Sequence, residues 1–207
     1  MNRRCVIFAG LPVAPELCED IGPQDIIITA DAGWKTARAL GFFPALALGD
    51  FDTAPAPEGP DVMRLPAEKV APVPFFAARR TLETGCGEVL ILGGIGGRLD
   101  HTLANICTLL FLEQHGVCAW LRSETAAVRV LLPGQYGFPA QKDVYVSLFP
   151  MNGDVHGLCL RGFRYPLENA VLGAASTLGT SNEFAAQEGY VSFTSGSLIY
   201  MQCKKDR

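Results

Sequence analysis

The chain has 207 residues, 49% hydrophobic and 18% charged, with 17 Lys and Arg against 21 Asp and Glu. That much apolar material excludes a disordered or fibrous chain, and a net charge of −4 supplies no basic field for nucleic acid or an anionic membrane. The seven cysteines are odd in number and form no CxxC pair, as expected of reduced thiols in the cytoplasm. The longest apolar stretch, LANICTLLFL, falls far short of the ~20 residues that span a bilayer. Pro12 interrupts the apolar N-terminal run, so CVIFAG reads as a first core strand rather than a signal peptide.

In chain order, residues 4–9 (RCVIFA) and 25–29 (DIIIT) read as buried strands, the second running into Asp31. A helix over 33–40 is stopped by Gly41 and Pro44, and a short strand at 46–48 ends in Gly49-Asp50. Pro55, Pro57 and Pro60 mark a loop before a strand at 62–65. A helix over 75–83 and a strand at 89–92 follow. After Gly93, Gly94, Gly96 and Gly97 comes a helix over 99–114, whose Leu99, Leu103, Ile106 and Leu110 recur at helical spacing and are expected to face the core. With a further strand at 117–121, the alternation predicts a parallel, right-handed βαβ sheet. Beyond residue 123 the pattern changes to short strands at 128–131, 144–149, 155–160, 190–194 and 198–202, separated by turn signals. That spacing predicts an antiparallel sandwich or barrel, with the domain boundary near 122–127.

In open α/β sheets, ligands bind at the carboxyl ends of the strands. Three such ends carry acids or glycines: Asp31, the segment Gly49-Asp50-Phe51-Asp52-Thr53, and Gly93 to His101. Asp50 and Asp52, two residues apart, point the same way in an extended segment and suit a hard cation with Asp31 and Asp100 nearby; a polar turn is the alternative. The glycines let backbone amides approach a phosphate at a helix start, and Arg98 adds a forked cation. Leu99 breaks a GxGxxG frame begun at Gly94, and there is no Gly-Lys pair for a Walker loop. Neither HExxH nor GxSxG occurs, and His101 reads as a helix-start residue. Thr180, Ser181 and Asn182 suit either recognition of a polar heterocycle or an ordinary turn. Trp34, Trp120 and Tyr200 offer rings for stacking, with core packing the simpler role.

Taken together these motifs resemble the thiamine pyrophosphokinase family. Asp31-Ala32-Gly33 through Pro44 to GDFDT is similar to the family's D-G-G, helix, Pro and GDFDS block. Gly96 to His101 with Leu103-Ala104-Asn105 matches its GGRLDH-x-LAN. Arg161-Gly162, Tyr165-Pro166-Leu167, Ala170 and the segment from Gly179 to Phe184 match its late block. The resemblance implies an α/β nucleotide-binding domain over 1–124 with a parallel sheet. A C-terminal antiparallel β-sandwich domain follows over 125–207, binding thiamine and forming a homodimer. It implies pyrophosphoryl transfer from ATP to thiamine with Mg²⁺, through catalytic Asp50, Asp52, Asp100 and Arg98. Metal contacts fall to Asp31, Asp50 and Asp52. ATP contacts fall to Asp31, Gly33, Gly49, Lys69, Gly94, Gly96, Gly97 and Arg98, and thiamine contacts to Asp100, Thr180, Ser181, Asn182 and Tyr200. One departure stands out. The family's EKD-x-TD is here Glu68-Lys69-Val70-Ala71-Pro72-Val73, without either aspartate. That loss supports a further expectation, a weak or inactive thiamine or nucleotide binder, and because pocket residues beyond Ser181 and Asn182 are unassigned, the same chemistry on another hydroxylated heterocycle is a third.

Overall fold

A computed structural model describes residues 3–51, 55–59, 61–66 and 72–205. The chain packs as two compact units, Met1–Glu124 and Thr125–Arg207.

The first unit is a parallel sheet in the order β4-β3-β2-β1-β5-β6. Its strands are β1 (Arg4–Phe8), β2 (Ile26–Ala30), β3 (Leu46–Gly49), β4 (Asp61–Arg64), β5 (Glu88–Leu92) and β6 (Cys118–Arg122). All five pairings are parallel, from Ile28 opposite Leu46 to Leu92 opposite Arg122. Cys5, Val6, Ile7 and Phe8 are fully buried, as a central strand covered on both faces requires. Three helices connect the strands: α1 (Gly33–Ala39), α2 (Val73–Glu83) and α3 (Leu99–Gln114). From β1 the chain runs outward through β2, β3 and β4, then returns to place β5 on the other side of β1. The order therefore reverses between β1 and β5, the point where open α/β sheets present a crevice.

The expected face of α3 differs from the observed one. Its buried residues are Asn105, Ile106, Thr108, Leu109 and Leu112, whereas Leu99 and Leu103 are exposed and Leu110 is only half-buried. The buried face lies about a third of a turn away, given ~100° per residue. The helix is apolar nearly all round, so spacing alone did not select a face. The two polar residues go inward because each has a partner: Asn105 Nδ2 donates to the Gly94 carbonyl and Thr108 Oγ1 to the Ala104 carbonyl.

The second unit is all-β. Strands β7 (Ala126–Leu131), β13 (Leu198–Lys204) and β9 (Val144–Pro150) pair antiparallel. A second antiparallel sheet has the order β11 (Leu167–Leu172), β10 (Val155–Arg161), β12 (Glu188–Phe193) and β8 (Gly134–Pro139). The Phe138 ring of β8 stacks on the Tyr200 ring of β13 at 3.9 Å between centroids, so the inner faces of the two sheets meet as in a sandwich. Strands β8 and β11 fall where the sequence pattern gave no strand. β8 pairs with β12 over six residues and β11 with β10 at three register positions, so both owe more to neighbouring strands than to their own composition.

Candidate functional site

Because every strand of the first unit is parallel, the segments after β1, β2, β3 and β5 emerge at one edge. Asp31 follows β2 in a left-handed backbone conformation (φ 50°), and its N–H donates to the Leu48 carbonyl at 2.8 Å. A Cβ on Gly49 would lie only 3.2 Å from Asp31 Oδ1, so the bare glycine lets that carboxylate lie against the end of β3. Phe51 is also left-handed (φ 53°), with its ring 3.2 Å from the same point and the Arg64 guanidinium 5.5 Å from its centroid. A bulky residue in that region stores backbone strain, which persists only where surroundings fix it. Gly33 has a different reason: a Cβ there would sit 2.1 Å from the Phe8 carbonyl oxygen, so only glycine lets α1 pack directly on the end of β1.

After β5 the chain enters the glycine loop, with Gly93, Gly96 and Gly97 all at positive φ. The loop after β1 lies against it: Leu11 N donates to the Gly93 carbonyl, and the Leu11 side chain packs over Gly97. This Gly10-Leu11 loop was missed in the sequence, although a glycine directly after a buried strand is the same signal used at β3 and β5. Arg98 and Asp100 are exposed, their side chains 71% and 63% accessible, and pair with each other at 3.1 and 2.6 Å. Those two hydrogen bonds hold the Asp100 carboxyl below the ordinary carboxylate range.

Asp31 and Asp50 thus stand on neighbouring strand ends, while Asp100 is occupied with Arg98. Among the described residues no three acidic, His or Cys side chains converge as a metal cluster would. Asp52 and Lys69 lie outside the described residues. Val73, where the resembling family carries an aspartate, is buried at the first turn of α2.

In the second unit, residues 179–184 run beside β9. Val146 and Asn182 exchange backbone hydrogen bonds at 2.7 and 2.8 Å, and Leu148 N donates to the Gly179 carbonyl. Two residues implied as ligand contacts are buried in this unit. Asn182 is buried: its Oδ1 accepts from Tyr165 N and Glu183 N, and its Nδ2 donates to the Tyr165 carbonyl. The amide ties the loop to the Tyr165 backbone. Tyr200 is fully buried between Phe138 and Gln202 Nε2, which donates to its hydroxyl at 2.9 Å, so its ring packs in the core of this unit. Ser181 (φ 58°) and Thr180 remain at the surface. Beside them a groove of about 500 Å³ is lined by Lys142, Asp143, Glu183, Phe184 and Lys205. Lys205 and, more weakly, Arg164 hold the Glu183 carboxyl below its ordinary value.

A family model described as "Thiamin pyrophosphokinase, vitamin B1 binding domain" matches residues 137–198. The thiamine pyrophosphokinase of Bacillus subtilis (strain 168) is 32% identical over 206 residues, spanning 95% of this chain and 96% of its own. A crystal structure of thiamine pyrophosphokinase from Bacillus subtilis matches with a TM-score of 0.90 at 30% identity, covering 99% of this chain and 100% of that one. One of the Geobacillus thermodenitrificans protein matches at 0.86 and 29%, covering 99% and 98%.

Proposed function

The chain belongs to the thiamine pyrophosphokinase family, and from that premise we propose that it transfers the pyrophosphoryl group of ATP to the hydroxyl of thiamine, giving thiamine diphosphate and AMP. The observation that supports this most directly is the gathering of Asp31, Asp50 and the glycine loop at the carboxyl edge of one parallel sheet. The thiamine hydroxyl oxygen attacks the β-phosphorus, and AMP departs with the bridging oxygen. Such transfer depends on in-line positioning and charge neutralisation. Arg98 and the glycine-loop amides neutralise charge on the phosphates, and Asp100, held next to Arg98, orients the hydroxyl or accepts its proton. Thr180 and Ser181 contact thiamine.

Mg²⁺ suits the donor set, because with a polyphosphate it takes only one or two protein carboxylates and keeps several waters. Asp31 and Asp50, with Asp52, would hold it; bound there it supplies positive charge to the phosphates. Residues 1–124 carry the ATP site and residues 125–207 the thiamine site and a homodimer contact, for which exposed Leu99 and Leu103 on α3 offer further apolar surface. None of the seven cysteines, all among the described residues, forms a disulfide, which supports a cytoplasmic setting. No helix among the described residues is long and apolar enough to cross a membrane.

Incubation of the protein with ATP, Mg²⁺ and thiamine is expected to yield thiamine diphosphate and AMP in equal amounts. ADP as the sole nucleotide product refutes pyrophosphoryl transfer, and full activity of Asp50→Ala refutes the metal assignment. The buried Val73 favours a second reading, a binder that turns over poorly. Thiamine binding by calorimetry, with no AMP formed at saturating ATP and Mg²⁺, would select it.

A further inference from the structure

A loop with three left-handed glycines has more conformational freedom to lose than any other segment of its length. If it ordered only when a polyphosphate arrived, that ordering would be subtracted from affinity. Two side chains of α3 prevent this. Asn105 is a buried amide on a helix face shared with Ile106, Thr108, Leu109 and Leu112, and its Nδ2 donates to the Gly94 carbonyl at 2.8 Å. Burying an amide is costly unless it has a partner, and the glycine loop is that partner. Three residues earlier, Thr102 Oγ1 accepts the Gly96 N–H at 3.1 Å and lies 3.4 Å from the Gly96 carbonyl. Residues i and i+3 share a helix face, and helical side chains lean toward the N-terminus, so both reach back to the loop that opens the helix. On the other side Leu11 closes the loop by its N–H to Gly93 and its side chain over Gly97.

We propose that Asn105 and Thr102 are positioning residues that fix the glycine loop in its polyphosphate-receiving shape, and so set affinity for ATP rather than for thiamine. Since the Gly96 N–H is committed to Thr102, the contribution of that pair is the shape of the loop. The inference rests on the function proposed above, and its test separates the two. Asn105→Asp keeps the volume but turns an acceptor toward the Gly94 carbonyl. Thr102→Val keeps the branched shape and removes the hydroxyl, whereas Thr102→Ser keeps the hydroxyl. Thr108→Val removes a bond of the same helix, to the Ala104 carbonyl, that does not touch the loop.

ATP dissociation constants by calorimetry, both KM values and melting temperatures are measured for all four variants. Asn105→Asp and Thr102→Val are expected to raise the ATP dissociation constant and the KM for ATP roughly five- to tenfold, the loss of about one hydrogen bond. The KM for thiamine stays within about twofold, Thr102→Ser behaves as wild type, and Thr108→Val changes melting without changing ATP affinity. If Asn105→Asp does not fold, Thr102→Val against Thr102→Ser carries the test. Unchanged ATP binding in these variants overturns the inference and leaves the function standing. A parallel rise of both KM values reduces the two side chains to structural roles and also overturns it. Wild-type protein that binds ATP but makes no thiamine diphosphate overturns the function alone, with the positioning then judged on ATP binding. Wild-type protein that binds no ATP overturns both.

Discussion

Removal of the Asp25 carboxylate tests how the first unit is held together at the edge opposite the site. Arg4, at the start of β1, reaches Asp25 through Nε at 3.3 Å and Nη2 at 2.6 Å, with side chains 16% and 13% exposed. Asp25 also accepts the Gly22 N–H at 2.9 Å. Breaking a buried pair by deleting one partner costs about 3–5 kcal/mol. Here Asp20 retains a 2.9 Å contact to Arg4 Nη1, so the charge is not wholly stranded and about 2–3 kcal/mol is expected for Asp25→Ala. At about 2–4 °C per kcal/mol for a chain of this size, the melting point falls by roughly 5–10 °C. Both tryptophans, Trp34 and Trp120, lie in residues 1–124, so their fluorescence follows the melting of this unit alone. Burial pushes the Asp25 carboxyl up, but the Arg4 and Gly22 hydrogen bonds outweigh it and the net displacement is downward. A depressed carboxylate stabilises above its unfolded value, about 3.9, and loses that stabilisation as pH falls through the lower folded value. The gap between wild type and Asp25→Asn is therefore full at neutral pH and closes in acid below about pH 4. Because Asp25 precedes β2 and the site follows it, KM values of the folded variant stay unchanged. Melting within about 1 °C of wild type, or a gap that ignores pH, would refute the reasoning.

Tyr200 separates a core role from a ligand-stacking one. Tyr200→Phe leaves Gln202 Nε2 without its buried acceptor and is expected to cost about 1–2 kcal/mol without altering the KM for thiamine, whereas Tyr200→Ala opens a cavity worth about 3–5 kcal/mol. A severalfold rise in that KM for Tyr200→Phe would bring the hydroxyl to the ligand site, and the same rise for a folded Tyr200→Leu, with Tyr200→Phe unchanged, would bring the ring there. Gly33→Ala drives a Cβ into the backbone carbonyl of Phe8, and since backbone cannot rotate away, a loss of about 3 kcal/mol is expected in tryptophan-monitored melts. A wild-type melting curve would mean that α1 can shift without cost.

How far these features could be read from sequence depended on whether one local pattern decided the matter. CVIF and IIITA are apolar on both faces apart from Thr29, so a doubly covered parallel strand was the economical reading, and the acids and glycines at their ends followed from direction alone. GQYGFP gave no such signal. Its two glycines and proline have poor strand propensity, and it becomes β8 through six partners on β12, with Gly137 opposite Tyr190. Burial of Tyr200 was legible in retrospect, since Leu198, Tyr200 and Gln202 alternate with exposed or half-buried neighbours and share a face with a core leucine. The role of Asn182 was not, because its three bonds join residues seventeen apart or adjacent through a fold that spacing does not reveal.

The pairing of Arg98 with Asp100 leads to a variant whose two kinetic constants should move in opposite directions. Two of the five guanidinium N–H donors are directed at the Asp100 oxygens, so an incoming polyphosphate competes with that carboxylate for Arg98. Asp100→Asn removes the competing charge but keeps the size of the side chain. Arg98 is then freer for phosphate, and the KM for ATP is expected to fall about two- to threefold. The same change deprives the thiamine hydroxyl of its orienting or proton-accepting carboxylate, so kcat is expected to fall roughly a hundredfold. Since the Asp100 carboxyl lies below the ordinary range, it stays ionised above about pH 5 and adds no limb to the wild-type rate profile there. An unchanged kcat would make Asp100 a counter-ion of Arg98 and nothing more. A KM for ATP that rises as kcat falls would mean that Asp100 aims the guanidinium at the phosphates, in which case Arg98 should not be credited with binding them unaided.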